Sequence, residues 1–306
     1  MDLQGCGTAI ITPFRSDNSI DEPAISSLVH WQIDSGISFL VATGSTGEAS
    51  TLTESETYRV IETVVGTADG RVPVIAGCTH NSTAEAVARV EKLSQIPGLS
   101  GILTANPFYN KPPQEGQYLH FKAIADASHL PVMLYNIPGR TAANLEPATV
   151  LRLAEHPKIF GIKESSGNMA QISEIIASAP RNFKVFAGDD SLALPVISQG
   201  GAGLISVGSN IIPRHMAEMV ASALANDWPT ARRIQRHYAK FLNALYWEPN
   251  PAPTKAILNL MGRIEGSLRL PMMEVSPVTR RKLDILIGEL GLLVDTAPTG
   301  EDLRMF

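Results

Sequence analysis

Ile159-Phe160-Gly161-Ile162-Lys163-Glu164 is the stretch whose reading decides the fold. It is apolar on both faces and ends in a lysine. A strand covered by helices on both sides reads as a continuous apolar run, which is the pattern of a parallel sheet. Lysine is rarely buried unless something pairs with it or uses it. At the C-terminal mouth of a parallel barrel, a lysine in a partly dry pocket sheds its charge more readily and can serve as an amine nucleophile. Taken alone, such a lysine is more often one that snorkels to solvent. What the other strand ends offer therefore decides between the two readings.

Outward from this stretch, short β-rich runs alternate with helical ones. The strand runs are Thr8–Thr12, Phe39–Ala42, Val72–Ala76, Gly101–Thr104, Val132–Tyr135, Ile159–Lys163, Lys184–Ala187 and Leu204–Val207. After Glu22 a helix opens with Pro23 in its first turn and sets Ile25, Leu28, Val29 and Gln32 on one stripe. Thr53-Glu54-Ser55-Glu56 and Ser82-Thr83-Ala84-Glu85 both match a capping box, in which hydroxyl and carboxylate satisfy orphan backbone donors reciprocally. The spacing predicts further helices over Gln114–Ala127, Glu146–His156, Asn168–Ser178, Ser191–Gln199 and Pro213–Ala225. Eight strands alternating with helices predict an α/β fold, a (β/α)8 TIM barrel. A doubly wound open sheet would want a glycine-rich turn after its first strand, and Pro13-Phe14-Arg15-Ser16 stands there instead.

After Ala225 the alternation stops. Thr230–Tyr246 puts Ile234, Tyr238, Phe241, Leu242 and Leu245 on one helical face, Glu248-Pro249-Asn250-Pro251-Ala252-Pro253 breaks it, and Thr254–Met261 and Pro277–Leu290 read as helices. The expected organisation is therefore residues 1–225 as a barrel carrying the active site, and 226–306 as a C-terminal helical extension packed on it. The polar residues from Asp295 onward are expected to be mobile. Met272-Met273 reads as core filler.

A length of 306 residues at 44% hydrophobic is ample for one barrel and an appendage. A net charge of −5 gives no basic field for nucleic acid or an anionic membrane. Arg232-Arg233 and Arg280-Arg281-Lys282 read as solvated helix faces. Two cysteines, Cys6 and Cys78, make no disulfide framework and suit a reducing cytoplasm. Without a basic region followed by an apolar run no signal peptide is expected, and no apolar run reaches membrane-spanning length. Scattered histidines give no metal-type spacing. Gly200-Gly201-Ala202-Gly203 precedes its strand, the wrong order for a dinucleotide fingerprint.

Active residues of a barrel gather where strands end. Thr43-Gly44-Ser45-Thr46-Gly47-Glu48 offers glycines and hydroxyls of the kind that bind a carboxylate or phosphate, though the P-loop ending is absent. Asn106-Pro107-Phe108-Tyr109-Asn110-Lys111-Pro112-Pro113 is an aromatic, proline-stiffened loop suited to a site or a subunit interface. Tyr135-Asn136-Ile137-Pro138-Gly139-Arg140-Thr141 ends an apolar strand with a phenol that needs a partner and adds a planar fork that suits a carboxylate. In Gly188-Asp189-Asp190 an aspartate is expected to cap the following helix. Each piece alone also reads as ordinary turn, loop or surface ion pair.

In order and together, these stretches resemble the dihydrodipicolinate synthase and N-acetylneuraminate lyase superfamily of pyruvate-dependent class I aldolases. The resemblance runs from about Gly5 to Leu293. Tyr-Asn-Ile-Pro-Gly-Arg-Thr, Gly-Ile-Lys-Glu, Gly-Ser-Thr-Gly-Glu and Glu-Pro-Asn-Pro are similar to the synthase branch; the usual Thr-Thr of the carboxylate loop is Ser45-Thr46 here, which keeps both hydroxyls. The resemblance implies that Lys163 attacks pyruvate to form an imine and then an enamine. It implies that Ser45 and Thr46 hold the pyruvate carboxylate, and that Tyr135, Thr46 and Tyr109 relay protons, Tyr109 from a neighbouring subunit. Arg140 would bind the carboxylate of L-aspartate 4-semialdehyde, and Gly188 and Ile205 would give backbone groups near the keto acid. No cofactor beyond the covalent imine, a homotetramer built as a dimer of dimers, and a cytoplasmic enzyme of lysine and diaminopimelate biosynthesis are implied as well.

Two rival functions remain beside it: a related aldolase acting on a sugar-derived 2-keto acid, against which Arg140 argues, and a non-catalytic keto-acid sensor, which would tolerate loss of Lys163 or Tyr135. The resemblance also places a regulatory lysine site at Ala49, Glu54, Thr57, Asn81, Glu85 and Phe108. Phe108 stands where lysine-sensitive relatives carry a tyrosine, so feedback by L-lysine is expected to be weak.

Overall fold

The computed structural model describes residues 1–293. Among them, eight parallel strands close into one barrel in sequence order, each neighbour pairing with the next and the eighth with the first. They are β1 (Gly5–Ala9), β2 (Phe39–Ala42), β3 (Val74–Gly77), β4 (Gly101–Ala105), β5 (Val132–Asn136), β6 (Ile159–Glu164), β7 (Lys184–Ala187) and β8 (Gly203–Ser206). The outer helices are α1 (Glu22–Asp34), α2 (Glu54–Ala68), α3 (Thr83–Leu93), α4 (Gln114–Ala127), α5 (Pro138–Thr141), α6 (Pro147–Ala154), α7 (Met169–Ser178), α8 (Ala193–Ser198) and α9 (Pro213–Leu224). Then α10 (Trp228–Ala244), α11 (Ala252–Leu260) and α12 (Pro277–Glu289) form the C-terminal helical extension. The expected mobility from Asp295 onward lies outside the described residues.

Two cores follow from the period-two alternation of strands. Inside the barrel Phe39, Val41, Ile75, Leu103, Met133, Tyr135, Phe160, Phe186 and Ile205 pack on one another, with the Phe39 and Phe186 rings edge-on at 5.5 Å. The larger core lies between strands and helices, where the α1 stripe of Ile25, Leu28, Val29 and Gln32 is buried as its spacing predicts. On α10, Ile234, Tyr238, Phe241 and Leu242 are buried together with Leu245 at its cap. Each large apolar side chain so buried contributes about 1.5–3 kcal/mol, which is what docks a helix whose outer face is polar.

Several boundaries move for identifiable reasons. β1 begins at Gly5, because Gly5 pairs with Gly203, and it ends before Ile11, whose N–H is taken by the Asn210 side chain at 3.1 Å. β8 ends at Ser206 because the Val207 N–H goes to the Asp190 carboxylate at 3.1 Å. The capping box of α2 is complete, but at α3 only the Ser82 half forms. There the Ser82 N–H is already bonded to His80 Nδ1 at 3.0 Å, so Glu85 has no orphan donor to serve. The single helical turn α5 is too short for a periodic signal. Met273 corrects the core-filler reading, since it is 70% exposed on the surface segment before α12. Cys6 and Cys78 are free and buried. No helix among the described residues is long and apolar enough to cross a membrane.

Candidate active site

At the C-terminal end of the barrel, register aligns Ala105 of β4 with Tyr135 of β5, and Tyr135 with Lys163 of β6. Lys163 is 5% exposed and Tyr135 7%. Lys163 Nζ lies 4.4 Å from the centroid of the Tyr135 ring. Strand alternation sends the next residues outward: Glu164 is buried against α7 and accepts from Asn136 Nδ2, Gln171 Nε2 and the Ser166 N–H, at 2.7–3.2 Å. Burial raises the Glu164 carboxyl, with these donors opposing.

Gly188 follows β7 and must be glycine for steric reasons. A Cβ there would meet Ser165 Oγ at 1.9 Å and Lys163 Cε at 3.0 Å, so the missing side chain leaves room for Ser165 and lets the lysine stem pass close by. Asp189 and Asp190 come next. Asp190 corrects the capping expectation: it is fully buried and accepts from Ser206 Oγ and from the N–H groups of Val207 (3.1 Å) and Gly208 (3.2 Å). Its carboxylate serves the end of β8, where Ile205 lies, rather than a helix start. Burial raises both aspartates, and the Lys163 charge opposes it.

The turn after β2 is tightly held. Thr43 has a left-handed backbone (φ 51°), and a Cβ on Gly77 of β3 would lie 2.2 Å from the Thr43 carbonyl, so Gly77 makes the close approach possible. Thr46 is buried, its hydroxyl accepting from Asn250 Nδ2 at 2.9 Å, whereas Ser45 is exposed. Arg140, exposed on α5, donates from Nη2 to the Asn250 carbonyl at 3.0 Å. Asn250, between α10 and α11, thus bridges two of the expected site residues. Tyr246 is half-exposed as a residue, and burial, with Asp190, Asp189 and Tyr135 nearby, raises its phenol well above the usual range.

The structure gathers Lys163, Tyr135, Gly188 and Ile205 at the barrel mouth, and Thr46 with Arg140 through Asn250. It does not bring Tyr109 to them within one chain: Tyr109 is 86% exposed with a left-handed φ of 74°. Sequence reasoning misses Asp189 and Asp190 as neighbours of the lysine and Tyr246 as a neighbour of those aspartates, and gives Asn250 no task although Glu-Pro-Asn-Pro carries the resemblance. Among the described residues, no three His, Cys, Asp or Glu side chains are grouped as a metal centre requires.

A parallel barrel that delivers a buried lysine beside a strand-end tyrosine defines the class: a lyase of the imine-forming, class I aldolase type. The chain matches the Dihydrodipicolinate synthetase family over residues 2–290, and it belongs to that family. It is 58% identical over 297 residues to the 4-hydroxy-tetrahydrodipicolinate synthase of Acidobacterium capsulatum, covering 97% of this chain and 98% of that one. The crystal structure of dihydrodipicolinate synthase from Aquifex aeolicus superposes with a TM-score of 0.93 at 38% identity, over 96% of this chain and all of that one. That of the chloride-inhibited enzyme from Acinetobacter baumannii, complexed with pyruvate, gives 0.93 at 39% identity over 95% and 99%.

Proposed function

We propose that this chain condenses pyruvate with L-aspartate 4-semialdehyde to 4-hydroxy-tetrahydrodipicolinate, in lysine and diaminopimelate biosynthesis, through a covalent imine at Lys163 and with no other cofactor. The observation that carries the reading is the buried Lys163 amine set against the Tyr135 ring at the barrel mouth. The neutral amine adds to the ketone carbon of pyruvate, water leaves, and the resulting imine acts as an electron sink. Loss of a methyl proton then gives an enamine, whose carbon attacks the aldehyde. The amino group of the semialdehyde finally replaces Lys163 at the imine carbon, closing the ring and freeing the lysine.

The remaining roles rest on position and residue chemistry. Thr46 and Ser45, with the turn's N–H groups, hold the keto-acid carboxylate. Tyr135, Thr46 and a neighbouring subunit's copy of residue 109 move protons; such general acid–base steps are worth about 10²–10⁴-fold. Arg140 keeps further guanidinium donors for the semialdehyde carboxylate while Asn250 steadies it. Gly188 and Ile205 contribute backbone groups beside the keto acid. Residues 1–225 act as the catalytic barrel, and 226–306 as an extension that supplies Asn250. The working enzyme is a cytoplasmic homotetramer, a dimer of dimers.

Borohydride reduction in the presence of pyruvate tests the reading. It is expected to add mass to the peptide carrying Lys163 and to stop activity, and Lys163→Ala is expected to abolish both effects. An adduct on another lysine, or none, overturns the assignment.

A further inference from the structure

The turn that carries Ser45 and Thr46 is held from outside itself. Its first and last residues, Thr43 and Glu48, both have left-handed backbones, at φ 51° and 53°. Non-glycine residues persist in that region only where the surroundings over-determine them. Within the turn, Gly47 donates to the Gly44 carbonyl at 3.0 Å and Glu48 to the Ser45 carbonyl at 3.2 Å. The Glu48 side chain points inward and is 3% exposed. Its Oε1 meets Nζ of Lys255, a wholly buried lysine of α11, at 2.5 Å.

Nothing in the imine chemistry uses Lys255, yet it is surrounded with care. Its Nζ also donates to the Ser267 carbonyl at 2.9 Å and lies 4.1 Å from the centroid of the Phe14 ring. Arg269 covers the same ring at 4.3 Å and gives its backbone N–H to Glu48 Oε2 at 3.4 Å. The Arg269 fork holds both oxygens of Glu56, at 2.6 and 2.8 Å. Burial draws Lys255 down to about 8, and Glu48 pulls it the other way. A buried ion pair is a poor source of net stability, because desolvating two charges offsets most of their attraction; where it has value, it fixes one arrangement among several.

The arrangement fixed here is specific. Asn250 and Lys255, just before α11 and within it, hold Thr46 and Glu48 respectively. One short stretch of the extension therefore grips the turn at two points. We propose that the Glu48–Lys255 pair is a positioning device for keto-acid binding, locking the Ser45–Thr46 turn against α11 in the geometry that receives the carboxylate. The inference rests on the reading of that turn as the pyruvate carboxylate site. Lys163 and Tyr135 sit on β6 and β5, and Thr46, the turn's member of the proton relay, keeps its own hydrogen bond from Asn250, so loss of the pair is expected to weaken pyruvate binding more than the covalent steps.

The test measures borohydride trapping at Lys163 against pyruvate concentration, with steady-state kinetics and thermal unfolding of the full-length chain. The variants are Glu48→Gln, Lys255→Met and the two combined. Folded variants are expected to need roughly tenfold more pyruvate for half-maximal trapping, while kcat at saturation stays within about threefold, the signature of lost ground-state binding. Lys255→Arg, which keeps the charge, is expected to recover part of the loss. If either single variant fails to fold, the combined variant, which leaves no unpaired buried charge, decides by the same measurement. Unchanged half-saturation in a folded variant, or a fall in kcat alone, overturns the proposal. Failure of the unaltered chain to form any adduct overturns the imine reading instead.

Discussion

Asn250 donates its side-chain amide to the Thr46 hydroxyl at 2.9 Å across 204 positions of sequence, while its own carbonyl accepts from Arg140. A residue of the helical extension therefore sets two groups that the barrel supplies from different strand ends. Asn250→Ala removes the amide donor and keeps the backbone carbonyl. Leaving a buried hydroxyl without its partner costs about 1–3 kcal/mol, or roughly 5- to 150-fold in kcat/KM for pyruvate. The KM for the semialdehyde is expected to change less, because Arg140 keeps its acceptor. Initial rates with each substrate varied in turn distinguish the two effects; equal damage to both would mean that Asn250 organises the whole mouth.

Tyr109 is exposed and backbone-strained, yet its loop is stapled: Asn81 Nδ2 donates to the Phe108 carbonyl at 3.3 Å, and Asn110 Nδ2 to the Asn81 carbonyl at 2.9 Å. A fixed, strained and uncovered tyrosine fits a hydroxyl presented to another subunit. Tyr109→Phe is expected to lower kcat by about 10²-fold, the lower range for a general acid–base group. Mixing it with Lys163→Ala is expected to restore activity after subunit exchange, since some hybrid sites are then complete. A fully active monomer at assay concentration would refute the shared site.

Acid stability should report on Arg269. Its fork, with the Thr53 N–H, holds the Glu56 carboxyl down at about 2 from an ordinary value of 4.5. Between those pH values the unfolded chain binds the proton and the folded chain does not, so this contribution is full above about 4.5 and is lost as pH falls through about 2. The pair is partly solvated, which discounts it to about 1 kcal/mol. Glu56→Gln is expected to lower the melting temperature at neutral pH, and the gap to the unaltered chain should close as pH drops through that window. A gap that stays constant down to acid pH would mean the carboxylate charge contributes nothing.

The fold was legible because its signals are local and repeated. Apolar strand runs, helical stripes such as that of α10, and the Thr53 capping box each announce an element without help from distant residues. What the sequence hid were charges whose partners lie far along the chain. Asp190 reads as a helix cap until β8 folds back to give it Ser206, Val207 and Gly208. Lys255 sits in Ala-Pro-Thr-Lys-Ala-Ile-Leu, where a lysine among apolar neighbours was the available signal, but Glu48 as its partner follows only from the closed barrel and its extension. Likewise Lys163, Tyr135 and Gly188 could be singled out as strand ends, whereas Ser45 reads as equivalent to Thr46 although only Thr46 is buried and held.

Regulation gives the last prediction: L-lysine should inhibit weakly. By resemblance the effector site lies at Ala49, Glu54, Thr57, Asn81, Glu85 and Phe108, and Phe108 has no hydroxyl to meet the effector carboxylate. A carboxylate left one donor short costs about 1–3 kcal/mol, or roughly 5- to 150-fold in affinity. Glu54 is the residue placed to compensate by pairing with the effector ammonium, but its carboxylate already holds Lys92 Nζ at 2.6 Å. That pair and the hydrogen bond within it hold the Glu54 carboxyl below its usual range, so the group is charged but engaged. The Asn81 amide is likewise committed, to the Phe108 carbonyl. Glu54 and Asn81 must therefore each give up a partner before they serve an effector. Initial rates against L-lysine at subsaturating pyruvate, with D-lysine as control, check the expectation. Phe108→Tyr should increase sensitivity, and Phe108→Tyr with Lys92→Ala should increase it further by freeing Glu54. Strong, cooperative, L-specific inhibition of the unaltered chain would show that a hydroxyl at position 108 is not what an effector carboxylate requires.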